Sequence, residues 1–277
     1  MSLIEEVMRR QAHERSAMPG GLAASAGGAM SAARLARPMV APVPDSAVQQ
    51  YRAAALDPEA LERNRVLLRV QDVAVSRAYK ILRTRVLHRM AGNNWYTLGV
   101  TGTGAGEGKT ITAINLAIAL AQDPNAWVFL VDLDLQRPQI GAYLGMSYEY
   151  GLTDFLTGQA ELEQVVYDIG IKRLAVVPNA SPVETSSEHL RSARMADFIN
   201  ALEAQAPRRY IILDMPPIMV SDDVLAFAPR VDSFLLVASQ GLTARRTLAN
   251  AKEVLSELNV LGVVLNRSTE HNDSPYY

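Results

Sequence analysis

The residues best suited to chemistry form a glycine-rich stretch followed by a lysine and a threonine. Glycines occupy positions 102, 104, 106 and 108, and Lys109 and Thr110 come directly after them. Alternating glycines let successive backbone N–H groups point at one anion, and the N-terminus of a following helix adds positive partial charge. A lysine here contacts the outer phosphates of a nucleotide, and the threonine hydroxyl ligates Mg²⁺. The stretch therefore predicts a phosphate-binding loop.

One position departs from the usual G-x-x-x-x-G-K-[ST] spacing of such loops. Thr103 stands where the first glycine belongs, with a glycine on either side. A glycine-rich turn that binds nothing is the alternative, and a Rossmann dinucleotide turn is another. Neither explains Lys109 and Thr110. The apolar run before the loop and the helical pattern at 111–120 supply the strand–loop–helix context that favours phosphate.

Carboxylates follow two of the apolar runs that are interpreted as strands. Asp132 and Asp134 come after the run at 127–131, and Asp214 comes after the run at 210–213. In an open α/β sheet, ligands bind beyond the carboxyl ends of the strands, so we expect these side chains near the glycine loop. Each Asp alone could equally cap the next turn or helix. Together with the loop, the three carboxylates indicate a Mg²⁺·nucleotide site.

The elements that position these residues alternate between strand and helix patterns. Nearly continuous apolar runs, typical of parallel strands buried on both faces, lie at 96–101, 126–132, 173–178, 209–214, 232–239 and 260–266. Helices are predicted at 109–122, 192–205 and 243–257, with Ser192 and Thr243 as N-caps, and a shorter one near Ser221. The alternation predicts an α/β fold with a doubly wound, mostly parallel sheet.

The front of the chain has a different pattern. Residues 1–16 predict a short amphipathic helix, and 17–50 are rich in Ala, Gly, Ser and Pro, so 1–56 is interpreted as a helix and a disordered tether. Asp57 and Pro58 mark a helix start. Helix 73–90 carries one apolar face made of Val75, Ala78, Tyr79, Leu82, Val86 and Met90. We therefore expect a helical extension at 57–92, a core at 93–267 and a flexible tail at 268–277.

Composition and charge narrow the class of protein. The 277 residues are 49% hydrophobic and 20% charged, which is typical of a globular protein, and the absence of cysteine excludes disulfides. No apolar window reaches about 18 residues, and the first residues lack the basic-then-apolar order of a signal peptide, so we expect a cytoplasmic protein. Residues 1–95 hold 14 Lys and Arg against 8 Asp and Glu, and the remainder holds 13 against 21. The basic half suits an anionic membrane or an acidic partner, or is simply solvated.

These motifs together resemble the bacterial tyrosine kinases (BY-kinases) of the CpsD/CapB type. The resemblance covers about residues 57–267. It rests on AYKILRTR at 78–85, GAGEGKT at 104–110, FLVDLDLQRP at 129–138, SEHLRSARM at 187–195, IILDMPPIMVSDD at 211–223 and GVVLNR at 262–267. It implies a P-loop NTPase core related to the ParA/MinD ATPases. It also implies ATP-dependent phosphorylation of tyrosines, mostly in the kinase's own C-terminal tail, in capsule and exopolysaccharide export.

The resemblance assigns roles to residues of this sequence. The nucleotide-binding positions would be Gly104, Ala105, Gly106, Glu107, Gly108, Lys109, Thr110, Ile111, Asn266 and Arg267. The catalytic residues would be Lys109, Asp132 and Asp134, and Mg²⁺ would be held by Thr110, Asp132 and Asp214. Asn266 would contact adenine, although the residue alone could equally form a turn. Tyr276 and Tyr277 would accept the phosphoryl group.

The resemblance also implies partners. A membrane polysaccharide co-polymerase of the Wzz/CapA kind would activate the kinase and recruit it to the inner membrane, and no nucleic acid is expected. A homo-oligomer is possible, but the family's Glu-x-x-Arg-x-x-Arg helix pattern here reads Arg77, Lys80 and Arg83. Gln136 replaces the first of two family arginines, and only two tyrosines remain in the tail. A ParA/MinD-like ATPase switch and a nucleotide-binding pseudokinase scaffold are the alternatives.

Overall fold

The structure is a computed structural model and describes residues 51–268. The strands are β1 (Arg52–Ala53), β2 (Thr97–Gly102), β3 (Trp127–Asp132), β4 (Tyr167–Asp168), β5 (Leu174–Val177), β6 (Arg209–Asp214), β7 (Ser233–Ser239) and β8 (Val260–Asn266). The helices are α1 (Pro58–Arg63), α2 (Val73–Asn93), α3 (Lys109–Leu120), α4 (Ile140–Leu144), α5 (Leu152–Thr157), α6 (Leu162–Val165), α7 (Ser186–Arg191), α8 (Ala193–Ala204), α9 (Asp223–Phe227) and α10 (Arg245–Val254), with a 3₁₀ turn at Ala228–Arg230.

The described strands join one sheet in the order β1-β4-β5-β3-β6-β2-β7-β8. Neighbouring strands run parallel, except that β4 and β5 are antiparallel. The predicted doubly wound, mostly parallel α/β sheet is therefore confirmed, and each of the six predicted strands begins and ends within one residue of its expected limits. Because β2 lies between β6 and β7, the loop after β2 opens beside the ends of both strands.

Apolar side chains pack on both faces of the sheet. Along β3, Phe129 and Val131 belong to one buried cluster, and Val128 and Leu130 belong to the other. Successive strand residues point to opposite faces, so the two clusters are the two covered sides of the sheet. This double burial explains why the strands were visible as continuous apolar runs rather than as alternating patterns.

The helical extension begins where the sequence indicates. Asp57 caps α1, and its side chain accepts a hydrogen bond from the Glu59 N–H at 3.0 Å. Helix α2 ends at Asn94, which adopts a left-handed conformation with φ of 58°. Val86 and Met90 on the predicted apolar face are fully buried. Ala78, predicted on the same face, is instead exposed, whereas its neighbour Tyr79 is partly buried.

Residues 51–56 differ from the tether predicted for 1–56. The ring of Tyr51 lies edge-on to Phe129 with 6.3 Å between centroids, and β1 pairs with β4. The Ala54 N–H extends this pairing by donating to the Asp168 carbonyl at 2.8 Å. These contacts join residues between 78 and 115 positions apart, so no local pattern predicts them. The predicted N-terminal helix and tether up to residue 50, and the tail with Tyr276 and Tyr277, lie outside the described residues.

Two predicted helix caps have different outcomes. Ser192 caps α8, since its hydroxyl accepts a hydrogen bond from the Met195 N–H at 3.1 Å. Thr243 was predicted to cap α10, and this is wrong, because the N-cap is Ala244. The Thr243 hydroxyl accepts from the Ser239 N–H and donates to the Glu107 carboxylate. Among residues 51–268 we find no helix with the length and hydropathy of a membrane span.

Candidate nucleotide site

The glycine-rich loop joins β2 to α3, as a phosphate loop requires. Gly106 and Gly108 have φ of +76° and +91°, a conformation that favours glycine. A Cβ on Gly108 would lie 2.1 Å from the Asn266 amide nitrogen, so this position also needs glycine for space. Ala105 and Gly106 form the exposed rim of the loop, whereas Glu107 and Lys109 are buried. The N-terminus of the twelve-residue helix α3 thus faces the loop opening.

Lys109 and Thr110 begin α3 next to the acidic strand ends. The Lys109 charge acts on Asp134 and Asp214 and opposes the rise that burial causes in the pKa of each carboxyl. The Thr110 hydroxyl lies beside Asp214 and acts in the same direction. The structure therefore brings together the lysine, the threonine and the strand-end carboxylates that the sequence placed up to about a hundred residues apart.

Asp132 and Asp214 form the buried acidic pair of the site. They end β3 and β6 and are direct partners in the register of these strands. Both are at most 1% exposed. Burial, with the charge of Asp214, raises the pKa of Asp132 well above its usual range, and burial raises the pKa of Asp214 to about 7. Two such groups oppose each other's ionisation, so the pair favours a nearby cation.

The oxygens of this pair fit a hard cation. Asp132 Oδ1 and both carboxylate oxygens of Asp214 are buried and have no hydrogen bond of good geometry within residues 51–268. Buried carboxylates without hydrogen-bond partners are unfavourable unless they coordinate a cation or are protonated. No group of three His, Cys, Asp or Glu side chains able to hold a metal occurs in the described part of the chain. Mg²⁺ binds proteins through one or two carboxylates and completes its shell with water and phosphate oxygens.

Asp132 also caps a helix, as its alternative interpretation proposed. Its Oδ2 atom accepts hydrogen bonds of 2.9 Å from the N–H groups of Gln139 and Ile140 at the start of α4. Asp134 accepts one from the Arg137 N–H at 3.1 Å. Asp132 is thus held firmly by one oxygen while the other faces the site. Asp134 is only partly buried and lies closer to solvent.

Asn266 lies against the phosphate loop. Its side-chain amide donates to the Glu107 carbonyl at 2.9 Å, and its Oδ1 atom accepts from the Arg267 N–H at 2.9 Å. Arg267 has a φ of 57°, so the chain turns directly after Asn266. A turn at this position is the alternative role that the sequence analysis gave for Asn266. Ile111, in the first turn of α3, is partly buried.

Sequence reasoning missed a polar cluster behind Asp134. The Ser186 hydroxyl donates to the Asp223 carboxylate at 2.8 Å, and the Gln136 amide donates to Ser186 at 3.0 Å. Asp223 is fully buried. The sequence holds a signal, since Gln136 replaces a family arginine and Asp223 belongs to the SDD stretch, but no local pattern links the two residues. The cluster ties the loop after β3 to α7 and α9.

Comparisons with known proteins agree with this geometry. Residues 98–276 match the family described as the CobQ/CobB/MinD/ParA nucleotide binding domain. The chain is 32% identical to the tyrosine-protein kinase CpsD of Streptococcus pneumoniae serotype 4 over 192 residues, which are 68% of this chain and 82% of that protein. It is 29% identical to the tyrosine-protein kinase YwqD of Bacillus subtilis strain 168 over 221 residues, which are 78% of this chain and 92% of that protein.

A solved structure shares the same architecture. The kinase domain of the Escherichia coli tyrosine kinase ETK has a TM-score of 0.64 and 26% sequence identity, covering 72% of this chain and 77% of that one. The chain therefore belongs to the CobQ/CobB/MinD/ParA nucleotide-binding family and, within it, to the bacterial tyrosine-protein kinases.

Proposed function

We propose that this kinase transfers the γ-phosphoryl group of Mg²⁺·ATP to its own C-terminal tyrosines, Tyr276 and Tyr277. The observation that carries the proposal is the buried, unpartnered pair Asp132 and Asp214 beside Lys109. Phosphoryl transfer depends mainly on positioning and on neutralising the charge of the phosphates. A lysine, a helix N-terminus and a bound Mg²⁺ supply that neutralisation together.

The residues of the site divide the work as follows. The backbone N–H groups of 105–111 cradle the phosphates, and Lys109 contacts the outer ones. Thr110, Asp132 and Asp214 would hold Mg²⁺, which would supply positive charge that neutralises the phosphates. Asp134 receives the proton of the incoming tyrosine, because it is only partly buried, whereas Asp132 is fully buried and is assigned to Mg²⁺. Asn266 and Arg267 border the nucleoside side of the loop.

The domain arrangement follows the same logic. We infer a helical extension at 57–92, a catalytic core at 93–267 and a tail at 268–277 that reaches the site of a neighbouring copy. A tail can do this only if copies meet at least transiently. In the exposed stretch of α2 around Ile81, Arg77 takes the place of the family's Glu, so a stable homo-oligomer would have to form without that acidic partner.

The partner that we propose is a membrane polysaccharide co-polymerase in a capsule or exopolysaccharide system, which recruits the chain to the inner membrane. A cytosolic segment of that partner would activate the kinase. The exposed surface of α2 supports an acidic segment as the occupant, since Arg77, Lys80 and Arg85 surround Ile81 there. Nucleic acid is not part of this proposal.

Transfer between two copies in the host tests the proposed function. A tagged Lys109→Ala chain, which cannot transfer phosphate itself, is produced beside the wild-type chain, and its phosphotyrosine is measured. We expect phosphotyrosine on the tagged chain and its loss when Tyr276→Phe and Tyr277→Phe are added to that chain. Phosphotyrosine that persists in the tyrosine-free tail would contradict the proposed acceptors. A tagged chain without phosphotyrosine would contradict transfer between copies.

A further inference from the structure

The phosphate loop contains an acidic side chain that does not face solvent. Glu107 is 2% exposed, and its carboxylate accepts hydrogen bonds from the N–H groups of Thr103 at 2.6 Å and Gly104 at 3.0 Å. It also accepts from the hydroxyls of Thr103 and Thr243. Burial alone would raise the pKa of Glu107, but these hydrogen bonds outweigh it and leave the pKa lowered. The carboxylate is therefore charged, and its charge is stabilised by these four hydrogen bonds.

Glu107 joins three segments that are distant in sequence. Its carboxylate reaches the end of β2 at Thr103 and the loop after β7 at Thr243. Its backbone carbonyl accepts from the Asn266 amide at the end of β8. The Thr243 hydroxyl is itself fixed, because it accepts a hydrogen bond from the Ser239 N–H at 2.9 Å. The loop is thus anchored on both sides by one residue.

The hydrogen bonds of Glu107 reach the position where the sequence departs from the usual loop pattern. Thr103 replaces the first glycine, and both its N–H and its hydroxyl are bound to Glu107. Gly102 fits against the same carboxylate, since a Cβ there would lie 2.4 Å from Glu107 Oε2. With the N–H groups of 103 and 104 occupied, the later N–H groups of the loop are the ones left for a phosphate.

We propose that Glu107 is a positioning residue for the nucleotide, which fixes the phosphate loop in its binding shape through Thr103 and Thr243. A loop held in shape before binding loses less conformational entropy when the nucleotide arrives, so the anchor increases affinity. It does so although a negative charge near phosphates opposes binding, because the charge is satisfied by four donors. The inference deepens the proposed function but rests only on nucleotide binding at this loop.

Nucleotide affinity of the full chain tests this proposal. A fluorescent ADP is titrated with Mg²⁺ present into wild type, Glu107→Gln, Thr243→Val and Thr243→Ser, with Glu253→Gln as the control for a lost surface charge. Hydrogen bonds to a charged group are the stronger kind, so we expect a Kd about 10-fold or more weaker in Glu107→Gln and Thr243→Val. Thr243→Ser keeps the hydroxyl, so its Kd should stay within about twofold of the wild-type value.

Two results would overturn the proposal. An unchanged Kd in Thr243→Val, with or without a lower melting temperature, would show that the hydrogen bond between Thr243 and Glu107 does not position the loop for the nucleotide. A tighter Kd in Glu107→Gln would show that the charge opposes the phosphates more than it positions the loop. Should Glu107→Gln fail to fold, the Thr243→Val and Thr243→Ser pair decides alone. A failure of the autokinase proposal would appear differently, as absent phosphorylation with nucleotide affinity intact.

Discussion

Asp132 and Asp214 lie side by side as register partners at the carboxyl ends of β3 and β6. The backbone continues this pairing, because the Leu133 N–H donates to the Asp214 carbonyl at 2.8 Å. Because both carboxyl groups are buried and adjacent, the ionisation of one makes the ionisation of the other less favourable. The strand pairing therefore places together two carboxyl groups that favour a nearby cation.

The first prediction concerns metal dependence. Asp214→Asn removes one charge from the pair while keeping its shape, so Mg²⁺ should lose most of its effect on nucleotide affinity. We expect the ratio of ADP affinities with Mg²⁺ and with EDTA to fall at least about 10-fold, since each lost ion contact is worth more than about 1.4 kcal/mol. Fluorescence titration measures both affinities. Asp197→Asn, at an exposed position of α8, should leave the ratio unchanged.

The second prediction concerns pH in the absence of metal. The folded-state pKa of Asp214 is raised to about 7, and that of Asp132 is also raised, so the folded protein binds protons more tightly than the unfolded chain does. The corresponding stability is present below the unfolded pKa of about 4 and is lost as pH rises to about 7. In EDTA, the wild type should melt at least about 4 °C lower at pH 8 than at pH 5.

The matched variant isolates the pair from other titrating groups. Asp214→Asn imitates the protonated carboxyl, so its melting temperature should vary less between pH 5 and pH 8 than that of the wild type. Differential scanning fluorimetry of both proteins in the same buffers gives the comparison. Equal pH profiles for the two proteins would mean that the acidic pair does not control this dependence.

The third prediction concerns Gly108, the N-cap residue of α3. Gly108→Ala places a Cβ against the Asn266 amide and strains a residue at φ of +91°. We expect nucleotide affinity to fall by about 10-fold or more, which corresponds to about 1.4 kcal/mol. Gly92→Ala in α2 is the control, since a Cβ there meets nothing within 4 Å. Gly92→Ala should bind nucleotide normally and stabilise the helix by up to about 1 kcal/mol.

The fourth prediction tests how the helical extension is attached to the core. Met90 of α2 is fully buried, so Met90→Ala should lower the free energy of unfolding by about 2–5 kcal/mol. His88→Ala, two residues away and exposed, should change it by less than about 0.5 kcal/mol. Urea denaturation measures both. Similar values for the two variants would mean that α2 is not part of the cooperative fold.

The core strands were predictable because their burial on both faces leaves a continuous apolar signature. Asp57 and Ser192 were predictable as caps because each acts within three residues of its own helix. Thr243 looked the same locally, but its hydroxyl donates to Glu107, 136 residues away. A local pattern holds no information about such a contact.

The candidate site divides in the same way. Lys109, Thr110 and the strand-end carboxylates were predictable, because their types and their places at strand ends are enough to bring them together. The engagement of Asn266 with the loop backbone and the pairing of Ser186 with Asp223 depend on how distant segments pack. The strand β1 is only two residues long and its partner β4 is equally short, so neither carries a periodic signal.

The most direct test of the account is the intact mass of the chain isolated from its own host, with and without phosphatase, beside Lys109→Ala. Host material retains whatever activator the kinase needs. We predict phosphatase-sensitive mass increments that map to Tyr276 or Tyr277 in the wild type and are absent from Lys109→Ala. No increment in the wild type, with Mg²⁺·ATP still bound or hydrolysed, would contradict the autokinase and favour an ATPase switch.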